Sequence, residues 1–214
     1  MAHKSGQFLE LELPNLFLRR PFSIADCTEN TVTLLYKVVG EGTKELTKAK
    51  SGDTYDCLTH LGSGFDIERT NSPLLIGGGI GIAPLYKLAK DFVQKGITPN
   101  ILLGFRNDKE LFYIEEFRAL GNVVVGTDDG SFGCCGNVIE VLKANFTSFD
   151  YYYACGPQVM LKALQNYAQN GQLSLEARMG CGFGVCMGCS IQTTNGFKRV
   201  CKEGPVFDAE EVLW

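Results

Sequence analysis

Pro73-Leu74-Leu75-Ile76-Gly77-Gly78-Gly79-Ile80-Gly81-Ile82-Ala83-Pro84-Leu85 is the stretch that decides how this chain folds. Its opening apolar run reads as a strand buried on both faces, as in a parallel sheet. Past the glycines, Leu85, Leu88, Ala89 and Phe92 share one face of a helix, and Pro84 suits its first turn. Strand, glycine loop, helix is the setting in which backbone N–H groups meet an anion at a helix start. Gly77, Gly78, Gly79 and Gly81 are therefore nucleotide-binding candidates, although a plain tight turn would use the same residues.

Downstream the alternation repeats. Strands are predicted at Asn100–Phe105, Asn122–Thr127 and Asp150–Cys155, and helices over 109–120, 136–145 and 158–170. Strands alternating with helices make a doubly wound parallel sheet, and such sheets bind ligands beyond the carboxyl ends of their strands. Gly77–Pro84, Thr127-Asp128-Asp129-Gly130-Ser131 and Cys155-Gly156-Pro157 converge there. Cys155 reads equally well as a buried thiol or as a nicotinamide contact.

Upstream, residues 7–68 read as short antiparallel strands of a small barrel. Gln7–Leu13 alternates, with Phe8 on the face opposite Leu9, Leu11 and Leu13. Thr31–Val39 is rich in β-branched residues, and Tyr55–Leu58 is a third strand. Arg19-Arg20-Pro21-Phe22-Ser23-Ile24 lies between the first two. It reads either as a strand edge with solvated arginines or as a nucleotide motif. In the second reading Arg20 forks onto a pyrophosphate, Phe22 offers a face to a planar ring and Ser23 a hydroxyl to a ring nitrogen. Gly40-Glu41-Gly42-Thr43 could turn amides and a hydroxyl toward the same phosphates.

The C-terminal part carries Cys181, Cys186, Cys189 and Cys201 in the pattern C-x4-C-x2-C-x11-C, within a loop rich in glycine. The first three have the plant-type [2Fe–2S] spacing. A structural zinc site is the rival, although zinc ribbons favour paired C-x2-C knuckles and one such pair occurs here. Glycines leave amides free to approach sulfides and tolerate left-handed turns.

Bulk composition narrows the classes. The chain has 214 residues, 45% apolar content, nine cysteines and a formal net charge of −4. No run approaches the roughly 20 apolar residues a membrane-spanning helix needs, and the N-terminus lacks the apolar core of a signal peptide. The expectation is a cytoplasmic, soluble chain in a reducing compartment, with no membrane and no nucleic-acid partner.

In this order, the Arg-Pro-Phe-Ser motif, the glycine loop with its later Cys-Gly-Pro, and the four cysteines resemble the ferredoxin–NADP reductase superfamily. More narrowly they are similar to the electron-transfer subunits of type 1B dihydroorotate dehydrogenase. Asp128-Asp129-Gly130-Ser131-Phe132-Gly133, Met179–Cys186 and the tail Val200–Phe207 carry the narrower resemblance. It implies a β plus α/β architecture. The parts are an N-terminally shortened, antiparallel FAD-binding barrel over 1–69, a doubly wound NAD-binding sheet over 70–173 and a [2Fe–2S] subdomain over 174–214.

The resemblance assigns Arg20, Pro21, Phe22, Ser23, Leu35, Tyr36, Lys37, Gly42 and Thr43 to FAD. It assigns the glycine loop with Cys155, Gly156 and Pro157 to NAD, and Cys181, Cys186, Cys189 and Cys201 to the cluster. It further implies an FMN-containing, dihydroorotate-oxidising partner in a heterotetramer, with no general acid or base in this chain. Family members carry two more strands ahead of Gly6, so a barrel without them would expose unpaired edges. Two readings compete: an electron-transfer subunit of another NAD(P)H-linked oxidoreductase, and a zinc-stapled nucleotide-binding regulator.

Overall fold

The computed structural model describes residues 3–214. Its N-terminal part is a four-stranded antiparallel sheet made of β1 (Phe8–Leu11), β2 (Arg20–Cys27), β3 (Val32–Leu34) and β4 (Cys57–Leu61), ordered β3-β2-β1-β4. It curls around Leu9, Leu11, Leu13, Phe22 and Ile24, each of whose burial contributes roughly 1.5–3 kcal/mol. As the alternation predicts, Phe8 leaves this core and joins the one beneath the parallel sheet. β3 and β4 are the open edges expected of the shortened barrel.

Two local readings differ from the structure. β3 ends at Leu34, and Leu35–Val39 is irregular, because Val38 and Val39 meet no partner strand and stay exposed. The Gly40–Thr43 turn opens a short helix, α1 (Glu41–Leu46), whose Thr43 hydroxyl accepts from Val39 N at 2.9 Å and Gly40 N at 3.1 Å.

The second unit follows the predicted alternation: β5 (Pro73–Gly78), α2 (Ala83–Gln94), β6 (Asn100–Phe105), α3 (Ile114–Arg118), β7 (Asn122–Thr127), β8 (Cys134–Cys135), α4 (Val138–Asn145), β9 (Tyr151–Cys155), α5 (Gln158–Tyr167) and β10 (Gly171–Ser174). The helix expected over 109–120 is shorter. A 3₁₀ turn at Asp108–Glu110 precedes α3, and Tyr113 between them is left-handed at φ 59. The C-terminal part adds the hairpin β11 (Ser190–Thr193) and β12 (Gly196–Arg199), then β13 (Val206–Asp208).

All three regions meet in one seven-stranded sheet, ordered β13-β10-β9-β5-β6-β7-β8. Its strands are parallel except β13, which pairs antiparallel with β10 through Gln172–Asp208, Leu173–Phe207 and Ser174–Val206. One face packs Leu85, Leu88 and Phe92 of α2 with Phe117 of α3. The other packs α4 and α5 together with Cys189, Val200, Cys201 and Phe207. Lys90 of α2 reaches Asp26 of β2 at 2.6 Å, joining the parallel unit to the barrel. Among the described residues no helix is long and apolar enough to cross a membrane.

Candidate functional site

β5 and β9 are hydrogen-bonded neighbours with β6 and β7 on one side and β10 on the other, so the strand order reverses between them. A cavity of about 880 Å³ opens at their carboxyl ends, where such sheets hold ligands. Gly78, Gly79, Gly81, Gly156 and Pro157 line it, as the sequence predicts. Two expected residues lie behind the wall. Gly77 is buried within β5, where a Cβ would meet Ile82 and Leu85. The Cys155 side chain is 3% exposed and belongs to the core; burial, with Glu176 nearby, pushes its thiol up to about 12.

Glu176 also lines the cavity, and sequence patterning gave no signal for it. It is open to the cavity, yet the surrounding protein desolvates its carboxyl and raises its pKa.

The barrel gathers most of the residues assigned to FAD. In β2, Arg20, Pro21, Phe22 and Ser23 pair with Leu11, Glu10, Leu9 and Phe8 of β1. Arg20 lies directly over Gly42, where an added Cβ would come within 2.8 Å of the Arg20 side chain. Its guanidinium donates to the carbonyl of Leu18 at 2.5 Å. Phe22 does not present a face. It is 6% exposed and packs edge-on against Tyr36 at 5.9 Å, which leaves Tyr36 as the more accessible aromatic. Leu35 and Tyr36 pack at the edge of the barrel core, while Lys37 points to the large cavity.

These positions give a direct test. Gly42→Ala should keep or slightly raise stability, because alanine favours helix and Arg20 can swing aside. FAD affinity should fall about tenfold through loss of a charged hydrogen bond, read by flavin fluorescence titration. Unchanged affinity would remove Arg20 from the phosphate site.

Between β10 and β11 the chain winds back over β1 in a loop that brings the four cysteines together. Gly182 is required there twice: its φ is +73, and a Cβ on it would stand 2.3 Å from the carboxyl carbon of Glu10. Glu10, on the β1 face opposite Leu9, is 1% exposed and neither of its oxygens has a hydrogen-bond partner among the described residues. Burial, then the neighbouring Cys181, raises its pKa, while Arg19 opposes the shift.

The thiols fall into two pairs. The amide of Cys186 donates to Cys181 Sγ at 3.4 Å, and the amide of Cys201 donates to Cys189 Sγ at 3.4 Å. Val185 N adds a bond to Cys181 Sγ at 3.2 Å and Gly188 N one to Cys186 Sγ at 3.5 Å. Burial works against ionising Cys181, but the amides of Cys186, Phe183 and Val185 outweigh it and lower the thiol to about 6. Cys201 goes the other way, pushed up to about 12 by burial and then by Cys189.

Among the described residues no three His, Cys, Asp or Glu side chains are gathered as one metal ion would need. Two amide-bonded pairs of thiols suit a centre with two metal atoms better than a single zinc ion. The inner pair, Cys189 and Cys201, is buried in the core, whereas Cys181 is half-buried and Cys186 exposed. Arg199 braces this loop, another residue without a sequence signal. Its Nη1 donates to the Gly184 carbonyl at 2.6 Å, and Glu203 accepts from its backbone N at 2.7 Å and from Nε at 3.0 Å. The Arg199 guanidinium holds Glu203 down to about 2.

Comparison with known proteins adds the following. Residues 176–213 match the family described as the iron–sulfur cluster binding domain of dihydroorotate dehydrogenase B, and residues 75–166 match the oxidoreductase NAD-binding domain. The chain is 44% identical to the dihydroorotate dehydrogenase B (NAD(+)) electron transfer subunit of Fusobacterium nucleatum, covering 97% of this chain and 86% of that one. It is 45% identical to the same subunit of Caldanaerobacter subterraneus, covering 98% and 87%. Among solved structures, an NADH-dependent reduced ferredoxin-NADP oxidoreductase, described for flavin-based electron bifurcation, superposes with a TM-score of 0.90. It is 34% identical, covering 99% of this chain and 80% of that one. The cytochrome b5 reductase domain of Ulva prolifera nitrate reductase shares the fold at a TM-score of 0.60 and 17% identity, covering 76% and 78%.

Proposed function

The chain belongs to the family of dihydroorotate dehydrogenase B electron transfer subunits; on that premise we propose that it carries electrons from an FMN-containing, dihydroorotate-oxidising partner to NAD+, in a cytoplasmic heterotetramer of the pyrimidine pathway. When bound, a [2Fe–2S] cluster supplies one-electron carriage, and FAD converts between single electrons and a hydride. The arrangement that carries this reading is the gradation of the thiols, from Cys189 and Cys201 in the core to Cys186 at the surface.

The chain's own residues do the rest. Cys181, Cys186, Cys189 and Cys201 hold the cluster, and amides at Val185, Cys186, Gly188 and Cys201 soften the negative charge on its sulfurs. Arg20, Gly42 and Thr43 serve the FAD phosphates, and Ser23 and Tyr36 the ring. Gly78, Gly79, Gly81, Gly156 and Pro157 let the dinucleotide backbone approach closely. The cavity's acidic side chains, Glu110 and Asp128 among them, favour NAD over the extra phosphate of NADP. Phe183, Val185 and Met187 are 54%, 73% and 52% exposed on the loop that carries Cys186. An apolar rim of this kind suits docking of the FMN subunit.

The test is a visible spectrum of protein reconstituted without oxygen with iron, sulfide and FAD. Flavin and cluster bands, bleached by NADH, and a rhombic EPR signal are expected. Colourless protein holding one zinc per chain would refute the reading. The likeness to a reduced ferredoxin-NADP oxidoreductase supports a second reading, with ferredoxin as electron donor. Reduction by dihydroorotate through the catalytic subunit, and not by reduced ferredoxin, separates the two.

A further inference from the structure

The resemblance places Lys37 on the flavin side, but its side chain goes elsewhere. From the irregular segment after β3 it crosses to the rim of the large cavity, and its ammonium pairs with Glu110 Oε1 at 2.9 Å. Both residues line that cavity, one from the barrel unit and one from the 3₁₀ turn after β6. Their side chains are 52% and 28% exposed, and an ion pair so open to water adds little to stability.

The charge of the cavity shows what the pair is for. Its bases are Lys37, Arg106 and Lys143, and Glu110 and three other carboxylates face them. A dinucleotide brings two phosphate charges into a space whose acids already outnumber its bases. An ammonium on a flexible stem, with three rotatable donors, can leave a carboxylate for a phosphate without moving the backbone. Lys37 is the base already held at the rim by one such carboxylate.

We propose that Lys37 is a dinucleotide-binding residue that exchanges Glu110 for the pyrophosphate of NAD, and that Glu110 holds it at the rim until the dinucleotide arrives. This rests on reading the cavity as the dinucleotide site. Glu110 is then a competitor of the ligand, so breaking the pair has opposite effects from its two ends. Lys37 follows directly on Tyr36, whose ring packs on Phe22, so the exchange also couples dinucleotide arrival to the barrel.

The experiment is calorimetric titration of NAD+ into the oxidised, FAD-loaded protein, with FAD content measured for each variant. Lys37→Met should weaken NAD+ binding about tenfold, the scale of a lost hydrogen bond to a charged group. Glu110→Gln should tighten it several-fold, and Lys37→Met with Glu110→Gln should match Lys37→Met alone. FAD content should be equal in all of them. Weaker or unchanged binding by Glu110→Gln would make the pair a purely structural tie and overturn the proposal. So would loss of FAD from Lys37→Met with NAD+ binding intact. Wild-type protein that fails to bind NAD+ would instead sink the dinucleotide reading of the cavity, and this proposal with it.

Discussion

Replacing Cys201 by serine is expected to abolish the EPR signal of the reduced cluster and to cut electron exchange with the catalytic subunit by more than about 100-fold, since even outer-shell losses at metal sites cost 10–100-fold. The effect is large because of where the side chain sits. Cys201 is 2% exposed and Cys189 3%, both in the core with Val200 and Phe207. A serine there would neither supply a thiolate nor reach water, and its hydroxyl would be buried in apolar surroundings. Cys186→Ser should do less damage, because that thiol is exposed and solvent can complete a weakened ligand set. Flavin reduction by NADH should survive both changes, since the glycine loop and the barrel are untouched. Cys155→Ser is the control, because Cys155 is buried near Glu176 in a different core and should leave the signal intact. A Cys201→Ser protein with a normal rhombic signal would remove this residue from the ligand set.

Gly81→Ala is expected to destabilise the fold by about 1–3 kcal/mol, the usual cost of overpacking, and to abolish NAD+ binding. An added Cβ would stand 2.6 Å from the carbonyl oxygen of Cys155 and from the backbone N and Cα of Gly156. Backbone faces backbone at this point, so no rotamer change relieves the clash. β5 and β9 must separate where the cavity opens, or the loop must lift into the space the pyrophosphate needs. Gly79 provides the contrast. It has open space around its Cβ position but a φ of +53, so alanine there should cost about 1–2 kcal/mol in backbone strain and spare binding better. Thermal melts and calorimetry on both variants check this. Gly81→Ala binding NAD+ as well as wild type would mean the loop is an ordinary turn.

Much of this was legible in the residues because the signals are local. The apolar runs of β5, β6, β7 and β9 can only be strands buried on both faces. Leu85, Leu88, Ala89 and Phe92 can share one face only on a helix, and α2 buries all four. The cysteine spacing survives because wrapping a small centre is itself a local geometry.

What escaped depends on distant parts of the chain. Leu35–Val39 has the composition of a strand, but composition cannot supply the neighbour a strand pairs with. α1 has glycine at its second residue and only six residues in all, too short for a periodic signal. β10 is four unremarkable residues, and β13 sits in a tail whose reading was dominated by cysteines. Phe22 looks like a stacking face in the linear motif, yet the strand alternation that sets Arg20 over Gly42 also turns its ring into the barrel core. Glu10, Arg199 and Glu176 carry no motif, and only the folded chain brings each of them to the cluster loop or the cavity.

The antiparallel pairing of β13 with β10 has a consequence for how the molecule can work. Iron–sulfur modules hung on a tether shuttle, collecting charge at one dock and delivering it at another, at a tempo set by diffusion. This one is sewn into the edge of the nucleotide-binding sheet by main-chain bonds on the far side of its sulfurs, so it has no hinge to swing on. Its conduction path is fixed when the polypeptide folds. The part cannot be transplanted as a cassette either, because cutting it away would strip a strand from its host.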